Sequence, residues 1–141
     1  QGPVTVIFHS LTNDGWQRTD TFRYDGDMEH HVVAISGKTA LVGLNFANDG
    51  AGTALVYEQN QFGDWEEVED PFVHDVGASG HMFGYFVSIH QDLASVSELG
   101  HVYIFRRESD KWVEFDRING SGYAVISGDV IAIASSARSH S

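Results

Sequence analysis

The stretch Phe83 to Ile118, FGYFVSIHQDLASVSELGHVYIFRRESDKWVEFDRI, holds four short apolar runs separated by turn residues at nearly even intervals. Most of the remaining chain copies it in full or in part. The stretch from His30 to Phe72, HHVVAISGKTALVGLNFANDGAGTALVYEQNQFGDWEEVEDPF, aligns with it so that Ile35 falls on Ile89, Gly52 on Gly100, Tyr57 on Phe105 and Trp65 on Trp112. Trp16 completes the series: the three tryptophans lie 49 and 47 residues apart, and each follows an aromatic-ended run (Phe8, Tyr57, Phe105) across a polar turn. A repeat of this length points to a propeller or a solenoid.

Two kinds of hairpin alternate. VTVIF (4–8) followed by Asn13-Asp14-Gly15 and WQRTDTF is a strand, a turn that supplies positive φ, and a second strand. The first strand is apolar on both sides and is expected between layers; the second, mixed with polar residues, is expected at an edge. The other kind, built from VVAIS and TALVGL, VSI and LASVS, and AVIS and VIAIAS, is apolar in both strands and rich in Ala, Gly and Ser, as suits a place where sheets converge. No stretch carries the i, i+3, i+4, i+7 spacing of an amphipathic helix.

With the strands of a unit labelled a to d from the inside outward, the chain supplies c and d (residues 1–26), two whole units (27–72 and 73–118), then a and b (119–141). The expected fold is therefore all-β, with antiparallel four-stranded blades of a β-propeller and about three blades' worth of strands. A β-solenoid fits less well, because turns of two to five residues demand antiparallel neighbours. Three blades fall short of the four to eight that close a ring, so the chain is not expected to close on itself. Either further blades of a longer protein or a second copy making a six-bladed ring would complete it; the first is favoured, since the chain begins at Gln1 without a targeting segment and stops where another strand c is due.

These residues resemble the FG-GAP repeats of integrin-type β-propellers. Phe83-Gly84 stands where that motif has Phe-Gly, and VAISGKTALVGL followed by DGAGTALVYEQ is similar to the family's strand a, strand b, glycine and strand c. The Gly-Ala-Pro part is reduced to Gly43-Leu44-Asn45 in one unit and replaced by Ser97-Glu98-Leu99 in the other. The resemblance implies an extracellular or cell-surface setting. Many members hold calcium in an Asp-rich loop between strands a and b; here the turns Ser36-Gly37-Lys38-Thr39, His90-Gln91-Asp92 and Ser127-Gly128-Asp129 offer too few oxygen ligands, so no metal and no cofactor is expected.

The bulk numbers narrow the function. A formal charge of −12, with 8 Lys and Arg against 20 Asp and Glu, argues against nucleic acid and toward a basic protein or a cation as partner. No apolar run is long enough for membrane insertion. The lack of cysteine removes disulfides, thiolate zinc sites and thiol nucleophiles. His30 and His31 are adjacent and face opposite ways on a strand, so they cannot share a metal. His74, Asp75 and His81 share one loop, at spacing too loose for a recognised ligand set. The acidic run from Glu58 to Asp75 reads as a solvated outer strand guarded against edge pairing, or as a docking face. Asn119-Gly120-Ser121 fits the N-glycosylation pattern. No Gly-x-Ser-x-Gly elbow, phosphate loop or dinucleotide fingerprint is present.

The expected function is a non-catalytic protein-interaction module that presents loops from one rim. Antiparallel counting brings the b-to-c and d-to-a loops together there, and the longest of these nominate Asn45, Phe46, Asn48, Asp49, His74, Asp75, His81 and Met82 as the contact surface. The alternatives are a sugar-binding propeller that uses loop aromatics such as Phe46, Phe62 and Phe83, and a non-catalytic part of a larger propeller enzyme.

Overall fold

The computed structural model describes residues 3–25, 30–45, 47, 50–73, 82–120 and 122–135. Among them all regular structure is β, arranged in four sheets. The first sheet is the hairpin β1 (Val4–Thr12) and β2 (Gly15–Tyr24). The second runs in order β3 (Val32–Ser36), β4 (Thr39–Leu44), β5 (Thr53–Gln59) and β6 (Trp65–Val68), antiparallel throughout. The third holds β8 (Phe86–His90), β9 (Leu93–Glu98), β10 (His101–Glu108) and β11 (Lys111–Asn119), again antiparallel. The fourth is the hairpin β12 (Tyr123–Ser127) and β13 (Val130–Ala134). The expected all-β class and antiparallel hairpins are present.

One strand differs from the expectation. Phe72–Val73 forms β7, which joins the third sheet as a fifth strand, parallel to β11 at Trp112 and Val113. It caps the outer edge: the Trp112 N–H donates to Pro71 O at 2.8 Å, and the Lys111 ammonium donates to Asp70 O at 2.8 Å. An edge strand presents unpaired N–H and C=O groups, and this two-residue segment covers part of them. Phe72 packs there on Phe105, ring centroids 4.6 Å apart.

The core lies in three slabs between successive sheets. Phe8 and Phe22 meet Tyr57 and Trp65 between the first and second sheets. Leu41, Val56, Val87, Ile89, Tyr103, Phe105 and Trp112 fill the space between the second and third. Val102, Ile104, Ala124 and Ile126 lie between the third and fourth. Burying a large apolar side chain stabilises by roughly 1.5–3 kcal/mol, so these slabs bind the sheets face to face. An ionic clamp adds to the middle slab: the Arg107 guanidinium reaches Glu58 Oε2 and Thr39 Oγ1 of the second sheet at 2.5 Å, and its own face covers Trp112.

Facing directions correct two readings. Tyr57 points back toward the first sheet and Phe105 back toward the second, but Phe8 points forward, out of register with them by one residue. Hairpin register explains the slip. In both β1–β2 and β10–β11 a two-residue turn is followed by a bulge, which matches Phe8 with Ile104 and Asp20 with Asp116. The β5–β6 turn is longer, because Gln59 pairs with Trp65. The first strand is also not enclosed between layers: Val4 and Phe8 are buried, whereas Thr5, Ile7, His9 and Leu11 face solvent. Among the described residues nothing packs on that side.

Candidate interaction rim

Along an antiparallel sheet the end of strand b and the start of strand a fall on the same rim. At the junction of the second and third sheets this rim is built from backbone. The Met82 N–H donates to Gly50 O at 2.9 Å and the Phe83 N–H to Ala51 O at 2.8 Å, while the Gly84 and Tyr85 N–H groups both donate to Ser97 O at 3.0 Å. The entry to β8 is thus tied to both sheets at once. Three glycines permit it: an added Cβ would lie 2.2 Å from Gly84 O at Gly43, 2.0 Å from Phe83 O at Gly52, and 2.3 Å from Thr53 O at Gly84. No side chain fits at such separations, so positions 43, 52 and 84 require glycine.

Of the eight residues nominated for contact, Asn45 and Met82 are described. Met82 is half-buried, with φ of 60°. Asn45 is buried, and among the described residues its Oδ1 has no hydrogen-bond donor. Phe46, Asn48, Asp49, His74, Asp75 and His81 lie outside the described residues. The aromatics considered for sugar stacking do not converge: Phe83 is in the core, against Phe72 and Tyr103, and Phe62 stands exposed on the β5–β6 turn at the opposite rim.

Two arrangements escaped the sequence reading. The first is an aromatic stack where β3, β8 and β12 begin. His30 lies on Tyr85 with centroids 5.8 Å apart and planes at 21°, and Tyr85 lies on Tyr123 at 5.5 Å and 27°. The two tyrosine hydroxyls are 3.2 Å apart, and this hydrogen bond pushes Tyr85 above the ordinary phenol range. The signal was available, since Gly-Tyr occurs at 84–85 and again at 122–123. The second is Glu98, at the end of β9 and fully buried. Tyr103 Oη donates to its carboxylate at 3.1 Å, and His101 Nδ1 lies 3.5 Å away. Burial first, then the neighbouring Glu98 charge, pushes Tyr103 up to about 12.

Among the described residues no three His, Asp or Glu side chains converge on a point that would hold a metal ion. The a-to-b turns sit at the opposite rim, where Asp92 faces the Arg107 guanidinium at 3.3 Å. The acidic run includes the outer edge of the second sheet, with Glu66, Glu67, Glu69 and Asp70 exposed. No protein-family model, curated protein or solved structure matches the chain.

Proposed function

We propose that the chain is part of a β-propeller of FG-GAP type and serves as a non-catalytic interaction platform for a basic protein segment. Successive sheets packed face to face, with β8 lying between β3 and β12 on the inner side, support the propeller reading. The observation that carries the functional reading is the Tyr85–Tyr123 pair, two stacked phenols linked through their hydroxyls and solvent-accessible at the rim. The exposed part of Tyr123 at the end of this stack, on a protein of net charge −12, suits an arginine guanidinium, which packs on phenol rings and is steered by the negative field.

The test is titration of the chain with peptides of graded Arg and Lys content. Micromolar binding that weakens with salt is expected, and Tyr85→Ala or Tyr123→Ala should reduce it tenfold or more. Binding that survives both substitutions, or no binding to any basic peptide, overturns the reading. The same aromatic faces suit sugar rings, which supports the carbohydrate alternative. Salt-independent binding to neutral oligosaccharides, lost in the same variants, would favour it.

A further inference from the structure

Tyr85 and Tyr123 converge at their phenol ends: the ring centroids are 5.5 Å apart with planes at 27°, while the hydroxyl oxygens are 3.2 Å apart. We infer that this pair is an oxidative modification site. A one-electron oxidant of the peroxidase and peroxide class joins the two rings into a biphenol there, and so ties the third sheet covalently to the fourth. The inference uses the geometry of the pair and does not depend on what the rim binds.

A phenol that gives one electron to the oxidant and one proton to water becomes a phenoxyl radical. Its unpaired electron is shared between the oxygen and the ring carbons ortho and para to it. The para carbon carries the side chain, so the ortho carbons couple. One carbon–carbon bond forms between an ortho carbon of Tyr85 and one of Tyr123. The hydrogen on each of those carbons then moves to oxygen and restores the phenol. Two electrons and two protons leave in all, and one hydrogen peroxide takes them up to give two waters. The ortho carbons flank the carbon that bears the hydroxyl, in the half of each ring where the two residues come together.

The fold holds both partners for this step. Tyr85 is fixed at the entry to β8, its N–H donating to Met82 O and to Ser97 O, each at 3.0 Å. Tyr123 is fixed in the β12–β13 ladder, paired with Ala134. His30 stacks on Tyr85, and Phe86 meets Tyr123 edge-on with centroids 5.0 Å apart, which limits how far either phenol swings. Two reactants held in contact need no bimolecular encounter, so coupling within one chain outruns coupling between chains. The oxidant has access, because Tyr123 is 45% exposed and Tyr85 is half-buried.

The other tyrosines are not placed for it. Tyr57 and Tyr103 are buried, and Tyr24 packs beside the core between the first and second sheets. Among the described residues no other two tyrosine rings touch: Tyr57 meets Phe8 and Phe22, and Tyr103 meets Phe83, Phe105 and His101. The chain has no cysteine to intercept the oxidant. Trp16 is exposed and oxidises as well, but an indole yields no biphenol.

The test treats the 141-residue chain, at micromolar concentration, with a haem peroxidase and hydrogen peroxide. The expected product is a single chain lighter by two hydrogens, with biphenol fluorescence and a proteolytic map that joins Tyr85 to Tyr123. Tyr85→Phe and Tyr123→Phe keep the rings and should each lose this product, whereas Tyr24→Phe should keep it. Oxidation in strong urea should lower the yield within one chain by about tenfold or more, since the fold no longer supplies the contact. Biphenol formed mainly between chains overturns the inference. So does an undiminished yield in urea or in either variant of the pair, and so does oxidation of Trp16 and the methionines without any biphenol. Should either phenylalanine variant lose its β-sheet circular dichroism spectrum, the wild-type map and the urea comparison decide.

Discussion

Gly43 and Gly84 touch through backbone: a Cβ on Gly43 would sit 2.2 Å from the Gly84 carbonyl oxygen. Neither partner can yield, because Gly43 is held in the β3–β4–β5 ladder and Gly84 is bonded to Ser97 O and turns through a φ of 92°. Gly43→Ala and Gly84→Ala are each expected to cost about 3 kcal/mol or more, through steric displacement of one sheet from the other. Gly100→Ala meets open space and suffers only from its φ of 98°, so its cost should be roughly half that or less. Urea unfolding of the three variants decides this; equal midpoints would show that the glycine contact does not join the sheets.

A second prediction concerns two buried hydroxyls. Ser88 Oγ and Ser95 Oγ lie 2.5 Å apart on neighbouring strands, and both residues are buried. Removing one hydroxyl leaves the other without its partner in a low-dielectric site, at a cost of about 1–3 kcal/mol; removing both leaves a small apolar pair. Ser88→Ala and Ser95→Ala should each lower stability, and the double variant should be more stable than either. Additive losses in the double-mutant cycle would contradict this.

Much of this architecture was legible because turn residues and apolar runs are local signals. Asn13-Asp14-Gly15, Gly37-Lys38 and Gly128-Asp129 mark hairpins whichever sheet they enter. What was not legible depends on partners. VTVIF reads as buried on both sides, yet Ile7 is exposed, because burial is decided by the neighbouring sheet and not by the strand itself. β7 has two residues and no periodicity to detect. The phase of Phe8 against Tyr57 hinges on turn length, which a tryptophan count hides. On the rim, loop length nominates Met82 from sequence, whereas the Tyr85–Tyr123 stack appears only once two units are brought side by side.

Gln91 gives the third prediction. It has a φ of 56° in the β8–β9 turn, where Gly37 and Gly128 occupy the matching places at 59° and 60°. A side chain in this left-handed region is strained, and glycine is not. The N–H of Gln91, which donates to Ser36 Oγ at 3.0 Å, would be kept in Gln91→Gly. That substitution should stabilise by roughly 0.5–1 kcal/mol, the relief exceeding the added flexibility of the unfolded chain. An unchanged or lower urea midpoint would mean that the turn is not strained.

Alkaline titration reads the two buried phenols directly. Tyr57 is pushed up to about 12, by burial first and then by the Glu67 charge, and Tyr103 to about 12 by burial and Glu98. In the unfolded chain both titrate near 10. Between these values the native state holds protons that the unfolded state has lost, so the slope of unfolding free energy against pH is negative. The contribution is fully present below pH 10 and is lost as pH rises through 12. Ultraviolet titration of the five tyrosines should therefore show part of the phenolate signal delayed to about pH 12, and Tyr103→Phe should remove a share of that delayed step. The fall of the urea midpoint between pH 10 and 12 should also be shallower in Tyr103→Phe and Tyr57→Phe. If all five phenols ionise together near 10 while the β-sheet spectrum is intact, the two side chains are not enclosed between sheets, and the face-to-face packing of the second sheet with its neighbours is wrong.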